Sequence, residues 1–301
     1  MSLRVVAWAL VAAMAAGGVL LLNYWAAYQP LSTLAYTGFV VALAGLANLI
    51  IPFRFLGVRK RFAGALVLAA GVAMSYAALY WPAPLVHAAG RKTVIDCTMP
   101  DYQFSERHST RIHARPERVM QAVREATFGD MKSLATLMKI REVVVRAPAS
   151  DVSGWRDKRI LESFASSGYI SGGSEREIGL FGPWNAKTNR RPDVHTLQEF
   201  AAYREPGAVK MGFYFNVEDT GGGWSKITAE TRVAAPGGNS QGLARYWRLI
   251  VPGSGLLRLQ WLEGIKRRAE SAPAVTSSLR RWPAIPAERF VKSLSENARR
   301  A

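Results

Sequence analysis

The sequence predicts an α+β protein: three transmembrane helices followed by an antiparallel sheet covered by a long C-terminal helix. Three observations carry this. The first ninety residues contain no Asp or Glu, and all 22 acids lie beyond them. Apolar residues alternate from Val209 to Val217 and again from Lys226 to Val233, on either side of Gly221-Gly222-Gly223, as in a hairpin with one buried face. Leu243, Tyr246, Trp247, Ile250, Leu257, Trp261, Leu262 and Ile265 then recur at helical spacing.

The spans come first. Val5–Tyr28, Leu34–Phe53 and Phe62–Trp81 carry no charged residue, and each reaches the length of about 20 residues that a helix needs to cross a bilayer. A cleaved signal peptide is the rival reading of the first stretch; its apolar run is longer than an ordinary signal core, and two more spans follow. A lipoprotein anchor is disfavoured because Cys97 follows Val94-Ile95-Asp96 rather than small residues. Arg54, Arg59, Lys60 and Arg61 form one basic loop, which predicts a cytoplasmic loop and a cytoplasmic N-terminus near Arg4. Tyr24, Trp25, Tyr28, Tyr36, Tyr80 and Trp81 then fall at the outer ends, where amphipathic rings favour the interface. The expected location is a bacterial cytoplasmic membrane with the C-terminal part outside. Gly38 and Ala42, like Gly71 and Ser75, have the spacing that lets helices approach closely. No span carries an Asp, Glu, Lys, Arg or His, which argues against an ion or proton path. Asn48 reads as interhelical glue.

The organisation is residues 1–90 as membrane region, 91–270 as a folded domain and 271–301 as a basic tail. The part beyond residue 90 holds 34 of the 39 Lys and Arg residues, a net charge of +12. That suits anionic lipid headgroups beside an anchor, or solubility alone. Basic residues are scattered rather than striped, and the expected compartment disfavours nucleic acid as a partner. One cysteine allows no internal disulfide. Tyr102–Ala114 reads as a strand, Pro116 opens a helix, and Met131–Ile140 is helical. Glu175–Phe181, turning at Gly182-Pro183, and Leu197–Tyr203 read as further strands. Asn239 or Ser240 caps the last helix, and Pro252-Gly253 is expected to kink or break it. In the tail, Ala287–Arg300 has Phe290, Val291 and Leu294 on one side and reads either as a peripheral membrane contact or as a frayed terminus.

This order resembles the helix-grip fold of the SRPBCC superfamily (START-like, Bet v 1-like, polyketide cyclase-like). The residues carrying the likeness are Ile112-His113-Ala114-Arg115-Pro116-Glu117-Arg118-Val119, the turn Glu205-Pro206-Gly207 with its strand to Val217, Thr228–Val233, and the helix from Tyr246 to Arg267. It spans about residues 101–270 and departs from the usual soluble member in its N-terminal spans. The resemblance implies a curved sheet gripping the long helix around a cavity lined by Met211, Phe213, Phe215, Ile227, Thr231, Tyr246, Trp247, Ile250 and Trp261. The same residues would equally serve as an ordinary core.

Glu106 and His108 are the sharpest polar pair. Two apart on a strand, they share the inward face of Phe104 and Ile112, where a carboxylate beside an imidazole can act in acid–base chemistry or orient a polar head. At the sheet rim they would simply be solvated. His113 and His195 join no cluster. No His, Cys or carboxylate set has metal-ligand spacing, no nucleophile elbow is present, and the glycine runs lack a phosphate-loop context; no cofactor is implied. The leading expectation is a membrane-anchored domain that binds an apolar or lipid-like ligand at the bilayer surface. The alternatives are a cyclase- or dehydratase-type enzyme using Glu106 and His108, or a non-catalytic interaction scaffold.

Overall fold

The computed structural model describes residues 3–27, 29–50, 61–90, 92–145 and 154–271. They fall into two compact units. One takes in the described residues up to Pro82 together with Ala244–Leu256; the other takes in those from Ala83 to Leu243 and from Leu257 onward.

The first unit contains α1 (Leu3–Trp25), α2 (Pro30–Ile50) and α3 (Arg61–Tyr80). Of these, α2 and α3 are long and apolar enough to cross a membrane. The first expected span, Val5–Tyr28, coincides with α1, whose side chains are described from Met14 to Trp25, a shorter apolar stretch. Arg54, Arg59 and Lys60 of the basic loop lie outside the described residues, as do residues 272–301 of the tail. Small residues bring α2 and α3 together. A Cβ added at Gly45 would lie 2.3 Å from the Leu68 backbone nitrogen, and one at Gly71 would lie 2.3 Å from that of Ala42. Ser75 Oγ donates to the Ala35 carbonyl at 3.0 Å. Asn48 is buried in the same seam, its amide 2.9 Å from where a Gly64 Cβ would sit. Thr33 Oγ1 donates to Asn23 Oδ1 at 2.9 Å, tying α2 to α1.

A stretch of the last helix (Ser240–Ser271) completes this unit. Arg248 donates to the carbonyls of Leu79, Trp81 and Pro82, so its guanidinium satisfies oxygens at the end of α3 that the helix itself cannot. Arg245 donates to the Tyr80 hydroxyl at 3.0 Å. The expected break at Pro252 does not occur: the helix runs through it. Pro252 removes one intrahelical bond, and the Tyr36 hydroxyl donates to the Leu249 carbonyl one turn before it.

The second unit is a two-face sandwich around a sheet. In chain order it holds β1 (Val86–His87), α4 (Val94–Thr98), β2 (Asp101–Tyr102), β3 (Phe104–Ile112), α5 (Pro116–Glu125), α6 (Leu134–Val145), α7 (Ile160–Ser166), β4 (Ile170–Gly173), β5 (Glu177–Asn185), α8 (Leu197–Ala202), β6 (Ala208–Gly221), β7 (Trp224–Ala234) and the remainder of the last helix, α9 (Ser240–Ser271). The sheet is antiparallel throughout, in the order β3-β7-β6-β5-β4, and β1 pairs with β2 apart from it. The hairpin β6–β7 turns on Gly221, Gly222 and Gly223, all at positive φ, a conformation that glycine adopts without a Cβ penalty.

Residues of α5, α7 and the C-terminal part of α9 cover one face. Val119, Val123, Ile160, Leu180, Phe215 and Ile265 belong to that core. The other face is covered too, by α4 and α8. There Val94, Ile95, Leu197 and Phe200 pack on Phe181 and Tyr214. The sequence reading gave the sheet one covered face and read Leu197–Tyr203 as a strand; it is a helix. Glu175–Phe181 was expected to turn at Gly182-Pro183, but β5 continues to Asn185 and pairs with β6 throughout. Pro183 is tolerated because β4 stops pairing at Phe181, leaving that edge of β5 with no ladder to donate to.

Candidate functional site

The inward faces of β3, β7 and β6 form one row. Glu106 is opposite Thr231, and Thr231 is opposite Phe213; one step along, His108 is opposite Ala229, which is opposite Phe215. The alternation of β3 sets this placement: Glu106, His108 and Ile112 are buried, while Arg107 points the other way. Glu106 is 1% exposed, and its carboxylate meets His108 Nε2 at 3.0 Å. The pair therefore lies inside rather than at a solvated rim.

Arg258 reaches the same row from α9. Its side chain is buried, and Nη2 donates to the Thr231 hydroxyl. The guanidinium carbon lies 4.9 Å from the Phe213 ring centre, 5.3 Å from that of Trp261 and 6.0 Å from that of Phe215. Nε and Nη1 meet no acceptor among the described residues, and neither does Nε1 of the buried Trp261. Burial pushes the guanidinium below its ordinary value, and the charge of Glu106 opposes that shift. A neutral buried donor left unmade costs about 1–3 kcal/mol, and a charged one more, so an interior with these donors is polarised toward an acceptor.

Of the cavity residues expected from sequence, Met211, Phe213, Phe215, Ile227, Thr231 and Trp261 belong to this unit. Phe215, Ile227 and Trp261 are core members, with Phe213 half-buried against them. Tyr246, Trp247 and Ile250 belong to the other unit, where Trp247 Nε1 donates to Gln29 Oε1 at 2.9 Å. Beside Phe213 stand Phe164 and Tyr169, with ring centres 5.2 and 6.0 Å from it. All three are half-buried. Arg258 was missed from sequence, although it falls on the apolar stripe with Trp261, Leu262 and Ile265, where a charge is out of place.

The outer face holds a second polar network, also unforeseen. Arg232 donates to Glu230 at 2.6 Å and to Asp96 at 2.7 Å, and Arg107 donates to the other oxygen of Glu230. Burial alone would raise Asp96, but the Arg232 hydrogen bond and charge, with Thr93, carry it below the usual carboxylate range. Tyr214 donates to Glu177 at 2.7 Å, and burial with that carboxylate pushes its phenol up. A groove of about 240 Å³ runs along this face between Thr93, Asp96, Arg107, Tyr214, Asn216 and Glu230. Among the described residues no group of three or more His, Cys, Asp or Glu side chains is placed to hold a metal ion.

No protein-family model, curated protein or solved structure matches the chain.

Proposed function

We propose that the chain is a membrane-anchored binding domain whose sheet–helix interior takes an apolar or lipid-like ligand near the bilayer surface. The observation that carries this reading is a buried polar anchor, Arg258 with Thr231, Glu106 and His108, set in a wall of aromatic side chains. Such a wall suits an apolar body, and such an anchor suits one polar end.

Anchoring is supported by where the apolar surface lies. Val40, Leu43, Ile50, Phe62, Leu66 and Val72 are all exposed on α2 and α3. Two helices whose only charge is Arg61 at the start of α3, and that leave so many large apolar side chains uncovered, match lipid as their solvent better than water. The basic loop and the positive charge of the C-terminal part support a cytoplasmic loop, an extracytoplasmic domain and attraction to anionic headgroups. The helix-grip likeness is supported by the meander β4 to β7, closed by β3, with a long helix on one face. α4 and α8 cover the other face.

Native mass spectrometry of the full chain, released from a non-ionic detergent, tests the reading. A co-purifying amphipathic molecule of defined mass is the expected result. A spectrum of bare protein under conditions that retain weak adducts contradicts it.

The buried contact between Glu106 and His108 favours a second reading, an acid–base enzyme of the cyclase or dehydratase type. There Glu106→Gln would abolish turnover of the bound molecule while leaving its binding intact; in the binding-domain reading no turnover exists to lose.

A further inference from the structure

We infer that Arg258 is the anion anchor of this interior, and that the ligand is a single-tailed amphiphile with an oxyanion head, a carboxylate or a phosphate. The inference rests on the binding-domain reading and names its ligand class.

The donors set the head. Arg258 Nη2 is held by Thr231, which fixes the plane of the guanidinium, while Nε and Nη1 meet no acceptor among the described residues. Trp261 Nε1, on a ring 5.3 Å from the guanidinium, is a further buried donor without an acceptor. Among the described residues this interior has three unmet donors and no unmet acceptor, which calls for a group that only accepts. A planar guanidinium matches carboxylate and phosphate oxygens better than it matches a hydroxyl or an ester. A cationic head is disfavoured by Arg258 itself. Glu106 acts on Arg258 through its charge, yet Nε and Nη1 make no hydrogen bond to it.

The surroundings set the tail. Phe213, against which Arg258 stacks at 4.9 Å, continues into Phe164 and Tyr169. These rings are half-buried, whereas Arg258 is 4% exposed. An apolar chain laid along the rings places its head at the guanidinium and its tail toward the less buried side.

The test uses full-length protein in a maltoside detergent and three probes of equal tail length: dodecanoic acid, dodecyl phosphate and dodecanol. Binding is read by native mass spectrometry and by the carboxyl-13C shift of labelled dodecanoic acid. An oxyanion probe should bind about ten- to hundredfold more tightly than dodecanol, the gain of charge-assisted hydrogen bonds to a buried guanidinium. Whichever of the acid and the phosphate binds more tightly names the head. Bound dodecanoic acid should keep its ionised shift to lower pH than the free acid. Arg258→Met should abolish both the preference and the shift while leaving dodecanol binding in place, and Arg258→Lys should restore part of the preference. Equal binding of acid, phosphate and alcohol, unchanged in Arg258→Met, overturns the anion assignment and leaves the binding-domain reading standing. No binding of any probe overturns both. If Arg258→Met loses dodecanol binding and melts at a lower temperature, Arg258 is a structural group and the assignment is wrong.

Discussion

Lys210 is a buried cation on the outer face of β6. Its amine donates to the Ala201 carbonyl at 2.7 Å and lies 5.1 Å over the Phe200 ring. Burial, with the charge of Arg204, pushes it down to about 7 from an ordinary 10.5. Below pH 7 both folded and unfolded chains carry the proton, and the penalty of burying it is fully present. Between about pH 7 and 10.5 the unfolded chain holds the proton that the folded one has shed, so stability rises with pH. Thermal melts at pH 7 and pH 9.5 should therefore show a larger upward shift for the wild type than for Lys210→Met; equal shifts would mean that Lys210 stays charged when folded. Arg232 behaves in the opposite sense. Its removal strands Asp96 and Glu230 within a buried network, and Arg232→Met should cost about 3 kcal/mol, seen as a fall in melting temperature. At this scale the inward direction of Glu106 and His108 was legible, because Phe104 and Ile112 share their period. The presence of Arg258 beside them was not, because nothing local ties it to residues about 150 positions away; it meets Thr231 of β7, which lies opposite Glu106 only once β7 has folded back on β3.

Among the elements, the seam of α2 and α3 is the most constrained. Gly45 and Gly71 each face backbone at distances that no Cβ can occupy. Gly45→Val should break the seam at a cost of about 1–3 kcal/mol, whereas Gly17→Val in α1, with nothing within 4 Å of the added carbon, should change the melting temperature little. Loss of stability at both positions alike would argue that the helices do not pack through small residues. The spacing of Gly38, Ala42, Gly71 and Ser75 made this seam readable in advance. The outer layer was readable too, had the capping boxes been weighed. Thr93-Val94-Ile95-Asp96 and Thr196-Leu197-Gln198-Glu199 each close the reciprocal bonds that start α4 and α8. Leu197–Tyr203 passes for a strand because the six residues of α8 hold too few turns for helical periodicity to stand out. A break at Pro252 was expected for a different reason: a lost intrahelical bond is a local penalty, and the contacts that hold the helix before it come from distant segments.

For the whole molecule, charge asymmetry governs the setting: acid-free apolar helices first, then a strongly basic domain. The proposed topology is checked by labelling. Cys97 is buried, so the reporter has to be placed elsewhere, and Asp193, whose side chain is 94% exposed, is suitable. Asp193→Cys should react with a membrane-impermeant maleimide in intact cells; reaction only after lysis would put the domain in the cytoplasm. The division into two units was half legible. Composition separates residues 1–90 from the rest, yet the stretch Ala244–Leu256, which reads as one piece with the remainder of α9, belongs with the apolar helices. Tyr246, Trp247 and Ile250 were counted with the interior because helical spacing gives the face of a residue but not which body the face meets. The central claim is that a lipid-like ligand lies between the sheet and α9. Photo-cross-linking of the full chain with a diazirine-bearing dodecanoic acid, followed by peptide mapping, addresses it most directly. The account predicts adducts on β6 around Met211–Phe215 and on α9 from Leu257 to Trp261, weakened in Arg258→Met to the level of a matching alcohol probe. Adducts confined to the exposed surfaces of α2 and α3 would contradict it.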